Sequence, residues 1–375
     1  MKDLFSTQLI ETLQHESPFF LISKEKVVSK FKEYQEHFPG AAIHYAMKAN
    51  SEKEVLQALH EAGSSFEVAS VFELQLLKAL SVPAGRINYG TSVKPISHIK
   101  EFFEYGVKRF AFDALSELEK IAAAAPGSEV YIRIAVDDTG SVYKFSEKFG
   151  TTKENALPWL QRARDLGLKP CGVSFHVGSQ ATNPLAWASA VASMHDTLAQ
   201  LHAAGLGIEI LNIGGGFPCA YASTENPLSL AEIAEPLYAE YNKLPYKPQM
   251  VLEPGRGLIA ESSVLVTRVI ARVERGGATW LFLDAGVYNA LFEALAYQGS
   301  TRYRVTTLRP SYSSGESLFA LAGPTGDSAD VITREALLPH DIDVGDALIF
   351  HDVGAYSLVV SSSFNGFPRP AVHAL

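Results

Sequence analysis

The residue of this sequence with the clearest chemical capacity is a lysine at the end of an apolar, strand-prone run. Residues 41–47 lead to Lys48, and small and polar residues follow it. We interpret the segment as a buried strand whose last residue turns toward a cleft. Partial burial there disfavours the ammonium form of the lysine, and a neutral amine is able to form a Schiff base with an aldehyde. The motif alone also fits a solvated lysine just beyond a strand end.

A run of three glycines is a candidate anion site. Gly214, Gly215 and Gly216 follow the apolar residues 210–213. Glycines after a strand let backbone N–H groups approach and cradle a phosphate, although a tight turn is the ordinary alternative. Ser179 and Arg256 are able to supply further donors, the arginine as a bidentate fork.

A histidine and a glutamate follow two other apolar runs. His176 is either a core histidine with its hydrogen bonds satisfied or a ring that lies against a flat ligand. Glu253 ends the run 249–252, where an unpaired carboxylate is costly. Either an ion pair with Arg256 or the protonated ring nitrogen of a ligand removes that cost. An aldehyde-trapping lysine, a phosphate cradle and a buried glutamate together describe a site for pyridoxal phosphate, whose protonated ring is a strong electron sink.

The elements that must position these groups alternate between strand and helix. The predicted strands are residues 18–23, 41–48, 66–70, 87–90, 109–112, 130–134, 172–177, 208–213 and 249–253. The predicted helices are residues 24–37, 52–62, 71–80, 96–105, 116–124, 153–166, 184–204 and 228–244. About eight alternations predict an α/β fold with a (β/α)₈ barrel rather than an open sheet. Reactive groups of such a barrel lie where the strands end, on its carboxyl-terminal face.

The C-terminal third has a different character. Short β-rich runs punctuated by Gly, Pro and Ser occur at residues 262–273, 279–283, 303–307, 318–322, 347–351 and 357–361. We therefore predict two domains. A cofactor-binding barrel comprises residues 24–258, and an all-β domain comprises residues 1–23 and 259–375, with the N-terminal strand joining the C-terminal sheet.

Composition limits the classes of partner. The chain has 375 residues and a net charge of −9, and this charge is spread along the sequence, which argues against nucleic acid and against a basic membrane-binding patch. The two cysteines, Cys171 and Cys219, provide no disulfide framework, and we expect no metal site around them. Residues 1–16 lack the apolar core of a signal peptide, and no run reaches transmembrane length. We expect a cytoplasmic enzyme with no membrane partner.

Eight motifs occur in an order that is typical of one family. They are YAMKAN (45–50), SFHVGS (174–179), GGGFP (214–218), EPGR (253–256), DAGVY (284–288), GPTGDS (323–328), DVGAY (352–356) and SFNGF (363–367). Through them nearly the whole chain resembles the ornithine/diaminopimelate/arginine decarboxylase family. The members of that family are pyridoxal-phosphate enzymes with an alanine-racemase-like barrel and a β domain.

The resemblance implies a role for each matched residue. Lys48 is the Schiff-base lysine, His176 stacks on the pyridine ring, and Glu253 pairs with the ring nitrogen. Polar groups near the ring are Glu67 and Arg133, and the phosphate is bound by Ser179, Gly214, Gly215, Gly216, Arg256 and Tyr356. The distal amine of the substrate is held by Asp284 and Asp327, and the substrate pocket also includes Tyr288, Gly326, Tyr356 and Phe364. The implied catalytic residues are Lys48, His176, Glu253 and Asp327.

Two positions depart from the family pattern. The family usually has aspartate where this chain has Glu67. More importantly, Gly326 replaces a cysteine that is thought to return a proton after decarboxylation, and the glycine also enlarges the pocket. An aspartate at Asp327, together with residues 286–288 and 364–367, is more typical of ornithine and lysine decarboxylases, because diaminopimelate enzymes usually carry glutamate at that position.

The sequence therefore predicts pyridoxal-phosphate-dependent decarboxylation of an L-amino acid, either a basic diamino acid or a conjugate of one. A branch acting on a larger conjugated amino acid, as in siderophore biosynthesis, remains an alternative. An amino-acid racemase usually has arginine at the ring nitrogen, so Glu253 argues against that class. Gly326 alone favours an inactive regulatory homologue, and the retained Lys48 argues against one. The resemblance also implies a homodimer whose active sites lie at the subunit interface.

Overall fold

The computed structural model describes residues 5–13, 15–224, 227–296, 301–308 and 315–375. Residues 1–4 of the polar N-terminal segment lie outside this description. The chain divides into two compact units. The barrel unit comprises residues 28–218 and 226–258, and the β unit comprises residues 1–27, 219–225 and 259–375. Within the described ranges, the helices are all too short or too polar to cross a membrane.

The strands follow one another along the chain in the order in which we number them. They are β1 Phe19–Ile22, β2 Ala42–Ala46, β3 Ser65–Val68, β4 Ile87–Tyr89, β5 Arg109–Phe112, β6 Glu129–Arg133, β7 Ser141–Tyr143, β8 Lys169–Ser174, β9 Ser179–Ala181, β10 Ile210–Asn212, β11 Gln249–Leu252, β12 Ser263–Arg275, β13 Ala278–Leu283, β14 Val305–Thr307, β15 Glu316–Ala322, β16 Val331–Pro339, β17 Ala347–His351 and β18 Ala371–Ala374.

The helices are numbered in the same way. They are α1 Thr7–Leu13, α2 Lys24–His37, α3 Lys53–Glu61, α4 Val71–Ala79, α5 Ile96–Tyr105, α6 Leu115–Ala124, α7 Ala156–Asp165, α8 Ala186–Ser193, α9 His195–Ala203, α10 Leu230–Tyr241, α11 Arg256–Ile259 and α12 Phe292–Leu295. Single 3₁₀ turns are Met47–Ala49, Ala84–Arg86, Lys153–Asn155, Ala260–Ser262, Leu358–Val360 and Phe364–Gly366.

Eight parallel strands close into a barrel in the first unit. The hydrogen-bonded order is β10-β11-β2-β3-β4-β5-β6-β8, and β8 pairs with β10 to complete the ring. Helices connect most successive strands, as parallel pairing requires a long crossover. The predicted (β/α)₈ barrel is therefore confirmed.

An apolar layer fills the interior of the barrel. Its buried members, one from each of five strands, are Ala111, Tyr131, Cys171, Ile210 and Val251. Such a barrel is a packed core rather than a pore. The layer therefore forms a floor beneath the residues at the carboxyl ends of the strands.

The β unit is built on a mixed sheet in the order β14-β17-β12-β13-β15-β16. The long strand β12 pairs antiparallel with β17 and with β13, and its register shifts between Val269 and Ala271. Strand β1, from the N-terminus, pairs antiparallel with β12 and parallel with β18. The predicted β-rich C-terminal part is therefore confirmed.

The structure differs from the predicted elements in several places. The long helix predicted at residues 184–204 is two helices, α8 and α9, because the Met194 N–H bonds to the Val191 carbonyl three residues back and tightens the turn. The strand predicted at residues 357–361 is a 3₁₀ turn that follows the left-handed residue Tyr356. Strands β7, β9, β16 and β18 were not predicted.

Candidate active site

Lys48 lies at the carboxyl end of the barrel. It lies within the turn Met47–Ala49, two residues beyond the end of β2, whereas the sequence predicted that Lys48 itself ends the strand. Its Nζ lies 3.2 Å from Glu67 Oε2 on the neighbouring strand β3. The Lys48 side chain is 43% exposed, whereas that of Glu67 is 3% exposed. A buried carboxylate therefore holds the lysine at the mouth of the barrel.

Glu253 follows β11 and receives a strong hydrogen bond. Asn212, at the end of β10, donates its Nδ2 to Glu253 Oε1 at 2.6 Å. Burial, reinforced by the negative charge of Glu67, raises the pKa of Glu253 to about 7, although Lys48 and the bond from Asn212 oppose the rise. Glu253 is consequently able to gain or lose a proton near neutral pH.

Arg133 brings a second positive charge to this end of the barrel. It ends strand β6, and its guanidinium lies 5.0 Å from the centroid of the Phe149 ring. Burial lowers the pKa of Arg133, while the negative charges of Glu253, Asp113 and Glu67 raise it. The arginine therefore compensates carboxylates that the protein interior would otherwise disfavour.

His176 is held as a neutral ring. The Gly178 N–H donates to His176 Nδ1 at 3.0 Å, so the ring proton resides on Nε2. Burial, together with the positive charges of Arg133 and Lys48, keeps the pKa of His176 well below its usual value. Phe145 meets the ring edge-on at 5.1 Å. A flat, uncharged face is the result.

The turn after β10 leaves no room for side chains. A Cβ at Gly214 would lie 2.5 Å from the Phe175 carbonyl oxygen, and one at Gly215 would lie 2.5 Å from that of Glu253. A Cβ at Gly216 would overlap the Gly178 carbonyl, and both Gly214 and Gly216 have positive φ. Glycine is therefore required at these three positions, because any side chain would overlap neighbouring backbone.

Ser179 and Arg256 lie next to each other in the same unit. Both are buried, and Arg256 Nε donates to Ser179 Oγ at 3.4 Å. The Arg256 guanidinium also lies 4.8 Å from the centroid of the Tyr143 ring. Together with the glycine turn, these groups form a cationic, donor-rich corner suited to an anion.

Sequence reasoning missed Asn212 and Glu73. The Ala69 N–H donates to Glu73 Oε2 at 2.7 Å at the start of α4. Burial raises the pKa of Glu73 to about 7, and the charge of Glu67 adds to the rise. A serine three residues before the glutamate, Ser70, is the signature of a helix N-terminus and could have indicated this position. No sequence signal indicates Asn212, because it lies within a predicted strand like its neighbours.

The predicted substrate residues of the β unit form a second group. Asp327 is exposed, its Oδ1 accepts the Ala329 N–H at 2.7 Å, and its carboxylate lies close to the Tyr288 hydroxyl. Desolvation and the negative charge of Asp327 raise the pKa of Tyr288. The Tyr288 and Phe364 rings lie 4.6 Å apart. Asp327 is therefore a fixed carboxylate beside two aromatic rings.

A buried aspartate fixes this loop. Asp330 accepts hydrogen bonds from the Thr325 N–H at 3.0 Å, the Thr325 hydroxyl at 2.7 Å and the Val287 N–H at 2.9 Å. It also fills the space beside Gly286 and Gly323, where a Cβ would overlap its carboxylate. One carboxylate thus joins the loop that carries Asp327 to the turn that precedes Tyr288.

Asp284 has partners within the chain, and its predicted role in holding the distal amine stays a prediction. Its Oδ2 accepts the Ser17 hydroxyl at 2.7 Å, and its Oδ1 accepts the Arg268 N–H at 2.9 Å and the Thr267 hydroxyl. These bonds join the end of β13 to β12 and to Ser17, which precedes β1.

Tyr356 belongs to the β unit and has an uncommon backbone conformation. Its φ is +52°, and Asp352, at the start of the same turn, has a φ of +62°. Two non-glycine residues in the left-handed region within one turn indicate a conformation that the surrounding structure imposes. The predicted role of Tyr356 in binding phosphate stays a prediction.

The raised pKa of Glu253 predicts a pH-dependent stability of the cofactor-free protein. Below a pH of about 4.5, Glu253 is protonated in the folded and unfolded chains alike. As the pH rises toward 7, the unfolded chain loses this proton first, so the free energy of unfolding falls until the folded carboxyl also ionises. Glu253→Gln lacks this loss, so it should gain stability relative to the unsubstituted chain between pH 5 and 8.

Thermal unfolding of both proteins at pH 5, 6.5 and 8, after removal of pyridoxal phosphate with hydroxylamine, measures this difference. Glu235 is exposed, and Glu235→Gln serves as the matched control. A melting-temperature difference between Glu253→Gln and the unsubstituted chain that stays constant with pH would contradict the prediction.

Comparison with known proteins identifies the family that the sequence motifs resemble. The family model described as "Pyridoxal-dependent decarboxylase, pyridoxal binding domain" matches residues 24–260. The chain is 34% identical to the lysine/ornithine decarboxylase of Selenomonas ruminantium over 94% of its own length and 88% of that protein. It is also 32% identical to antizyme inhibitor 2 of Xenopus laevis, over 99% of its own length and 84% of that protein.

A solved structure agrees over almost the entire fold. The lysine/ornithine decarboxylase of Vibrio vulnificus, complexed with putrescine, superposes with a TM-score of 0.90 at 31% identity and covers 98% of both chains. The family match spans the barrel and the residues that gather at its carboxyl end. The chain therefore belongs to the pyridoxal-dependent decarboxylase family and is an amino-acid decarboxylase that uses pyridoxal phosphate.

Proposed function

We propose that this enzyme decarboxylates a basic L-amino acid of the ornithine and lysine type, releasing CO₂ and an amine. The observation that carries the substrate class is Asp327, an exposed carboxylate that accepts the Ala329 N–H and lies close to the Tyr288 hydroxyl. A fixed carboxylate beside aromatic rings suits a distal ammonium group. The relatives from Selenomonas ruminantium and Vibrio vulnificus, both named lysine/ornithine decarboxylases, support this class.

The residues present fit pyridoxal phosphate. At the glycine turn 214–216, where added Cβ atoms would overlap backbone, the Gly214 N–H donates to Asn212 Oδ1, so the phosphate donors of this turn would come from Gly215 and Gly216. Ser179 and Arg256 would add donors. Lys48 would hold the aldehyde carbon, and Tyr356 would add a further donor. When bound, the cofactor accepts into its ring the electron pair that CO₂ leaves behind. We propose residues 24–258 as the domain that binds it.

The chain's own residues then control protons and orientation. Glu253, with a pKa of about 7, holds or releases a proton at the position proposed for the ring nitrogen. His176, kept neutral by the Gly178 N–H, presents a flat face and adds no charge to the ring. Glu67 accepts a hydrogen bond from the Lys48 amine and keeps it at the mouth of the barrel. Each residue acts through a contact described above.

Release of CO₂ from ornithine, lysine, arginine and diaminopimelate tests the substrate class. We expect ornithine or lysine to be the best of the four, because their distal group is a compact ammonium. Lys48→Ala should lower the rate by about 10³-fold or more, since it removes the amine that carries the cofactor. Preference for diaminopimelate, or activity that survives in Lys48→Ala, would contradict the proposal.

A larger, conjugated amino acid is a second candidate, and Gly326 favours it. This glycine has no positive φ, and a Cβ placed there would meet only Asn365 Oδ1, at 3.8 Å. Backbone geometry therefore does not require glycine at this position. The missing side chain instead leaves space beside Asp327, where the family pattern has a cysteine.

Restoring the cysteine tests what this space does. Gly326→Cys should fold with an unchanged melting temperature, because the site has room for the side chain. It should also reduce activity on citrate-conjugated diamino acids relative to free ornithine, or change the ratio of amine to aldehyde product. Unchanged rates, products and substrate range in Gly326→Cys would show that glycine has no special function at this position.

We also propose a head-to-tail homodimer with shared active sites. Each site would take Lys48 from one protomer and Asp327 from its partner, with a two-fold axis relating the two sites. The physical reason is that a cofactor at a barrel mouth needs protection from water, and a loop of the second protomer supplies it. The family resemblance supports this arrangement.

Mixing two inactive variants tests the dimer. In a mixed dimer of Lys48→Ala and Asp327→Ala, one site carries both lesions and the other carries none. After subunit exchange at equal concentrations, about a quarter of the original activity should return. If each site belonged to a single protomer, every site would carry one lesion and activity would stay absent; exchange is verified independently with tagged protomers.

A further inference from the structure

Gly90 follows β4 at the carboxyl end of the barrel, directly beside Glu67. Its φ is not positive, so the backbone conformation is open to any residue. A side chain is excluded for another reason: a Cβ at this position would lie 2.6 Å from Glu67 Oε1 and 2.7 Å from Glu67 Cγ. A side chain at this position therefore requires the Glu67 side chain to move.

The space at Gly90 lets Glu67 reach Lys48. Glu67 is nearly completely buried on β3, and its Oε2 accepts the Lys48 amine at 3.2 Å. Holding a lysine side chain in one position costs rotamer entropy that its contacts must overcome. A buried, rigidly placed carboxylate is the group that holds it.

We propose that Gly90 is a positioning residue for Lys48 that acts through Glu67. The bare Cα of Gly90 makes room for the glutamate side chain, and the glutamate fixes the lysine amine. This inference rests on the proposed role of Lys48 in carrying the cofactor. It also accounts for glutamate at position 67, where the family usually has the shorter aspartate, because the longer side chain occupies the space beside Gly90.

Gly90→Ala in the holoenzyme tests the proposal. The alanine should displace the Glu67 carboxylate, and the lysine-bound cofactor would then lose a neighbouring negative charge. The pH midpoint of its visible absorbance change should fall by about one unit or more, as expected when an opposite charge leaves hydrogen-bond distance. A purely structural role would not move this midpoint.

The second arm of the test repeats the change in a Glu67→Ala background. Gly90→Ala should lower the melting temperature of cofactor-free protein by about 3 °C or more in the unsubstituted chain and by much less in the Glu67→Ala chain. Gly85 has an ordinary φ and nothing within 4 Å of an added Cβ, so Gly85→Ala is the matched control. Its melting temperature and its absorbance midpoint should not change.

The outcomes separate clearly. Equal effects of Gly90→Ala in both backgrounds, or an unmoved absorbance midpoint, would overturn the proposal. If Gly90→Ala alone does not fold, recovery of folding in the Glu67→Ala double variant supports the proposal, and failure of the double variant overturns it. The melting comparison needs no cofactor and therefore tests the Gly90–Glu67 contact by itself. If the unsubstituted enzyme has no absorbance band from a cofactor linked to Lys48, the function proposed for Lys48 is contradicted, but the contact is still tested.

Discussion

Compensation of buried charge is the constraint on which the barrel end depends. The charge of Glu67 raises the pKa of both Glu73 and Glu253, and Lys48 provides an opposing charge for both, to which Arg133 adds at Glu253. A buried carboxylate without a cation, a proton or hydrogen-bond donors costs free energy. The pKa values of about 7 for Glu73 and Glu253 show that the two cations do not compensate all three. The remaining balance comes from protons.

The strands place these charges, and their order along the barrel explains why they meet. Lys48 follows β2, Glu67 is the third residue of the four-residue strand β3, and Arg133 ends β6; the parallel strands of a barrel all end on the same face. Beneath them the apolar layer excludes water from below. Because this apolar layer is closely packed, the barrel cannot collapse around a charged group that has changed. The other charged groups must therefore compensate for the change.

Much of this could be predicted from the sequence. The strand–helix alternation predicts the barrel, and the residues at strand ends predict the members of its carboxyl end. The β unit was harder, because β16 and β18 carry charged or mixed residues and their pairing depends on partners far away in the chain. Asp284 was assigned by motif position, and only its bonds to Ser17, Thr267 and Arg268 reveal that it is used within the sheet. The sequence also does not indicate the role of Gly90, because the side chain that occupies the space beside it, Glu67, lies on the neighbouring strand β3.

The bonding of Asp330 has a consequence for how such an enzyme changes over evolutionary time. It ties Thr325 on one side of position 326 to Val287 on a separate turn, while Asp327 is held by the Ala329 N–H on the other side. Gly326 itself has no side chain, and among the described residues a Cβ added to it would meet Asn365 Oδ1 at 3.8 Å. The residue at this position can therefore change among descendants of one ancestor without loss of the carboxylate beside it. If Asp327 binds the amine as proposed, the breadth of accepted substrates and the recognition of the amine can then change independently of each other.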